Sequence, residues 1–78
     1  MAANERRSIW TIYYFEQNDG TYKNDGLQDY KDFVEIDSTA EPNYATFDNY
    51  QLWEEHPSTY NTPFTVSANN NPSFYFNF

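Results

Sequence analysis

Cysteine is absent from the 78 residues. The chain therefore has no disulfide framework and no thiolate metal site. Small secreted domains usually need such staples, so the absence favours a reducing compartment. The cytoplasm, of the chain's own cell or of a host cell, is the expected location. Glycine is nearly missing as well, at two residues, too few for a phosphate-cradling loop. No apolar run approaches the roughly 18 residues that a membrane span needs. "MAANERRSIW" carries charges with no apolar run behind them, so it does not read as a signal peptide. Pro72 blocks the sequon-like spacing Asn71-Pro72-Ser73.

Aliphatic residues are scarce too. Ile9, Ile12, Leu27, Val34, Ile36, Leu52 and Val66 are the only Leu, Ile and Val. Alone, so few aliphatics at a net charge of −8 would border on a disordered composition. Seven Phe, eight Tyr and two Trp argue the other way. A large aromatic buries about 150–250 Å², so a few rings replace many aliphatics in a core. A folded domain over 8–78 with an aromatic core is expected, preceded by a flexible arm at 1–7.

Charge is placed in three zones. Residues 1–31 hold all four cations and five acids. Residues 32–55 hold seven acids and no Lys or Arg: Asp32, Glu35, Asp37, Glu41, Asp48, Glu54 and Glu55. Residues 56–78 hold no acid, Lys or Arg. An acidic block of this kind repels nucleic acid and anionic membranes and attracts a basic protein surface.

"SIWTIYYFE" reads as a strand at 8–16, apolar on both faces and hence central or covered twice. Asn18-Asp19-Gly20 is a three-residue hairpin turn with Gly20 at positive φ, returning as a short strand at 21–24. Asn24-Asp25-Gly26 turns the chain again. Over 27–37 two patterns compete. Leu27, Tyr30, Phe33 and Val34 fit a helical stripe, whereas Val34 and Ile36 alternate with Phe33, Glu35 and Asp37 as in a strand. A helix near 27–34 running into an extended end is the expectation. A second helix is expected near 47–55, with Thr46 as N-cap and Phe47, Tyr50 and Trp53 on one face, stopped by Pro57. Strands near 63–68 and 73–78 form a second hairpin. The fold expected is thus α+β: a small antiparallel sheet with one or two short helices. Phe74, Phe76 and Phe78 alternate with Tyr75 and Asn77, so they share one face, which a chain this small must bury. That ending resembles the terminal strand of outer-membrane β-barrels over six residues. The leader and the many alternating strands of such barrels have no counterpart here.

Catalytic signals are missing. His56 is the lone His and has no nucleophile placed near it by sequence. Glu54 and Glu55 are adjacent and point apart. Asp19, Asp25, Asp29 and Asp32 lack the spacing of a calcium loop. No enzyme activity, catalytic residue, metal or cofactor is expected. The expected function is a non-catalytic, acidic protein-binding module. Its partner-binding residues are the seven acids of 32–55 with Tyr44, Tyr50 and Trp53. In its sharpest form it is a DNA mimic or small inhibitor acting on a basic, nucleic-acid-handling protein, of the sort found in phages. The alternatives are a structural subunit of a larger, for instance viral, assembly and a small carbohydrate-binding module. In the last of these an exposed Trp53, Tyr44 or Tyr60 would stack on a pyranose.

Overall fold

The computed structural model describes residues 5–78. Its organising element is β1, Arg6–Glu16. β-Branched and aromatic residues fill it, and both of its edges are paired. On one edge lie β2, Tyr22–Lys23, and β3, Tyr30–Glu35, each antiparallel to β1. The β1–β2 turn has the expected form, with Gly20 at φ 85° and the Asp19 carboxylate accepting bonds from the amide and hydroxyl of Thr21.

Between β2 and β3 the edge of β1 would be bare at Tyr13. Two side chains close it. Asn24 Nδ2 donates to the Tyr13 carbonyl at 2.7 Å, and Asp29 Oδ1 accepts from the Tyr13 N–H at 3.4 Å. Asn24 Nδ2 also donates to Asp29 Oδ1 at 2.7 Å, which ties the pair together. Buried backbone groups must find partners, and here side chains imitate the missing strand.

On the other edge of β1 lies β6, Phe74–Asn77, with Thr11 opposite Phe74 and Tyr13 opposite Phe76. The far edge of β6 is closed in turn. Tyr60 and Tyr75 exchange backbone bonds, and the Trp53 N–H donates to the Asn77 carbonyl at 2.8 Å. A separate two-stranded ribbon, β4 (Thr39–Ala40) with β5 (Phe64–Thr65), covers part of the sheet.

One face of the sheet carries the core, in two clusters. Ile9, Ala40, Val66 and Phe74 form the first, flanked by Val34, Ile36 and Phe64. Tyr13, Phe76 and Phe78 form the second, flanked by Phe15, Ala45, Phe47 and Leu52. The three terminal Phe residues are therefore core, as their alternation required. Rings meet there edge-on and stacked; Tyr13 stacks on Phe76 at 6.0 Å, and Phe47 meets Phe78 edge-on at 5.0 Å.

Several expectations are corrected. The fold is not α+β: no helix occurs among the described residues. Residues 27–34 turn at Gly26 (φ 78°) and then run as β3, because the β1 edge from Arg6 to Thr11 offers backbone groups that only a strand can pair. Residues 47–55 form successive turns rather than a helix. Asn49 sits at φ 68°, outside the helical region, and the Trp53 amide bonds to β6 instead of to its own preceding turn. Residues 63–68 and 73–78 do not pair as a hairpin; β5 pairs with β4, and β6 runs parallel, not antiparallel, to β1. Of the arm expected at 1–7, residues 1–4 lie outside the described residues, while Arg6 and Arg7 already belong to β1.

Candidate functional site

Six of the seven acids of 32–55 are exposed: Asp32, Asp37, Glu41, Asp48, Glu54 and Glu55. Glu35 is half-buried and faces Arg6 at 3.5 Å. The other ion pair among the described residues is Arg7 with Glu5 at 3.2 Å. Lys31 is engaged by rings, its Nζ lying 5.4 Å from the centre of Trp10 and 5.2 Å from that of Phe33. Hence no described cation pairs with any of those six exposed acids.

The three rings assigned to binding are half-exposed: Tyr44 at 58%, Tyr50 at 45% and Trp53 at 50%. Each is held from behind. Tyr44 leans on Phe76 at 4.9 Å and its hydroxyl accepts from Asn61 Nδ2. Tyr50 meets Phe15 edge-on at 5.0 Å, and Trp53 meets His56 edge-on at 4.9 Å. A ring anchored on one side and open on the other loses little freedom when it is covered.

The ten expected residues do not gather around one recess. Asp32, Glu35 and Glu41 line an open groove of about 550 Å³ beside β3, together with Arg6, Tyr30 and Asn43. Asp48 and Tyr50 line a second, of about 560 Å³, beside β2. Trp53, Glu54 and Glu55 sit at the turn leading to His56, and Asp37 occupies a positive-φ turn at φ 73°. The molecule is long enough for this spread, measuring 53 Å along its longest axis and 22 and 18 Å across.

His56 is placed between Tyr22 and Trp53, and its Nδ1 accepts the Ser58 N–H at 3.0 Å. A third, smaller recess of about 260 Å³ opens there, lined by Tyr14, Tyr22, His56, Ser58 and Asn77. Desolvation first, and the Glu16 carboxylate second, hold the Tyr22 phenol above its ordinary value. Among the described residues no group of three His, Cys, Asp or Glu side chains is placed to hold a metal ion. No helix among them is long and apolar enough to cross a membrane.

Sequence reasoning missed the rest of the groove beside β2: Phe15, Gln17, Lys23, Asn24, Asp25, Gln28 and Phe47. Only the turn signal at 24–26 pointed towards them, and it spoke of backbone, not of a site. No protein-family model, curated protein or solved structure matches the chain.

Proposed function

We propose that the chain is a non-catalytic acidic module that binds a basic protein surface through 32–55. One observation carries this reading: six exposed carboxylates stand without a cationic partner among the described residues, interspersed with three half-exposed, braced rings. Charge supplies steering and on-rate; rings supply the desolvated anchors. In its sharpest form the module is a DNA mimic. Exposed carboxylates without cationic partners among the described residues suit a partner whose Arg and Lys normally grip phosphates. The alternative of an assembly subunit is less well served, because the Phe face and the strand edge at 73–78 that a neighbour would use are both covered.

The test is capture from a native host lysate at low and high salt, followed by kinetics on the recovered partner. Reversing Glu54 and Glu55 to Lys weakens binding and flattens its salt dependence. Trp53→Ala speeds dissociation, by about tenfold or more for an anchor worth about 2 kcal/mol, and leaves the salt slope nearly unchanged. Binding that ignores both variants removes 32–55 as the interface.

A further inference from the structure

The groove beside β2 has one aromatic wall. Phe15 stands edge-on to Phe47 at 4.9 Å and to Tyr50 at 5.0 Å, and stacks on Phe78 at 5.7 Å. Tyr50 is thereby fixed on the core while nearly half of it stays open. Two turns bring polar groups to the same groove. At one, the Asp25 carboxylate accepts the Leu27 N–H at 2.9 Å, Gly26 takes φ 78°, and Gln28 follows. At the other, the Tyr50 N–H donates to the Phe47 carbonyl, and Asp48 projects from between them.

Lys23, Asp25 and Asp48 line one groove, yet no ion pair joins them among the described residues. Nor do the side chains of Lys23, Gln28 and Asp48 make a hydrogen bond among the described residues. The Lys23 ammonium and the Gln28 amide thus stand as uncommitted donors beside the uncommitted Asp48 carboxylate, while Asp25 keeps one oxygen on the Leu27 N–H. An anionic ligand would meet two carboxylates and a net charge of −8. A cation would meet Lys23. An apolar ligand would strip water from three charges and return nothing. A hydroxyl both donates and accepts, and satisfies all of these groups. A compound bearing several hydroxyls around an apolar face also matches the half-open Tyr50 ring. The volume, about 560 Å³, lies within the range of small-molecule sites.

We propose that this groove is a binding site for a neutral pyranoside of one or two rings. Tyr50 lies under the sugar, while Lys23, Gln28 and Asp48 bond its hydroxyls. The site shares Asp48 and Tyr50 with the charged-surface reading but does not depend on it.

The test is an amide-resolved NMR titration of the full chain with cellobiose, maltose, lactose and N,N′-diacetylchitobiose. At least one disaccharide is expected to shift the resonances of Gln28, Asp48 and Tyr50 with a millimolar Kd. Gln28→Ala removes a side chain that no hydrogen bond ties to the fold, so it leaves the melting temperature unchanged and weakens binding several-fold. Tyr50→Ala weakens it by about tenfold or more. The proposal is overturned if no disaccharide shifts these resonances, or if both variants bind like the parent. It is equally overturned if L-phenylalanine, a zwitterion with its own ring, takes the groove in place of the sugars.

Discussion

Asn43 shows how single residues hold this small core. Its backbone carbonyl accepts the Tyr13 hydroxyl, its side-chain amide donates back to that hydroxyl at 2.9 Å, and its N–H donates to Thr11 Oγ1 at 3.1 Å. Two buried polar groups on the core face of β1 are satisfied by one loop residue, and the loop is pinned by the same bonds. Asn77 plays the corresponding part on β6, its Nδ2 donating to Thr59 Oγ1 at 2.9 Å. Rings do the remaining work. Phe76 is fully buried against Tyr13 and Tyr44, so Phe76→Ala is expected to cost about 3–5 kcal/mol as a core truncation. Small domains hold only about 5–15 kcal/mol in all, so chemical denaturation should show a large fall in the midpoint. A mutant that melts like the parent would show that the terminal strand is not core.

At the scale of elements, the β2–β3 edge is the instructive case. The two strands leave a gap on β1, and Asn24 and Asp29 bridge it through the backbone of Tyr13. Asn24→Ala removes the donor to the Tyr13 carbonyl and the donor to Asp29 together. The expected loss is about 1–3 kcal/mol, the usual cost of stranding partly buried polar groups. Hydrogen exchange should localise it, with the Tyr13 amide exchanging faster while the Phe78 amide, bonded to the Tyr14 carbonyl on the opposite edge, is protected as before. Uniform acceleration across both edges would mean that the bridge stabilises the whole sheet rather than its local edge.

Over the whole molecule, salt and pH test how the charges are deployed. The six exposed carboxylates of 32–55 lack cationic partners among the described residues, so their mutual repulsion is unopposed there and is screened by salt. Raising the salt concentration at pH 7 should leave thermal stability intact or slightly raised. A sharp loss on adding salt would show that these carboxylates have partners in the fold. Two other groups set the pH limits. The Thr21 hydroxyl and amide hold the Asp19 carboxyl below its ordinary value of 3.8. Its folded pKa is depressed, so its contribution is present above 3.8 and is lost as the pH falls through the lower folded value. Burial pushes the Tyr13 phenol above 10.0, with the Asn43 bond partly opposing. That contribution is complete below pH 10.0 and is lost as the pH rises through the higher folded value. A melting-temperature profile should therefore fall at both extremes, on the acid side as Asp19 protonates and on the alkaline side as Tyr13 ionises.

Several features were legible in the sequence because they are local. Alternation at 74–78 put three Phe on one face whichever way the strand ran, and that face is buried. Asn18-Asp19-Gly20 set a turn through the φ freedom of Gly20 and the short reach of the Asp19 carboxylate. The acids of 32–55 and their lack of neighbouring Lys or Arg were visible by inspection. What the sequence left open was settled by distant backbone groups. Leu27, Tyr30, Phe33 and Val34 fit a helical stripe, but the N–H and C=O groups of β1 at one edge required a strand there. Phe47, Tyr50 and Trp53 fit another, but the Trp53 amide was needed to close β6. Side-chain alternation is the same for parallel and antiparallel strands, so the direction of β6 was never encoded in its own residues. Only the tertiary structure decided it, and with it the placing of Asp48 and Tyr50 beside Phe15, Lys23 and Gln28. Period and turn chemistry act over a few residues, whereas the pairing of an open strand edge is satisfied by whatever part of the chain can reach it.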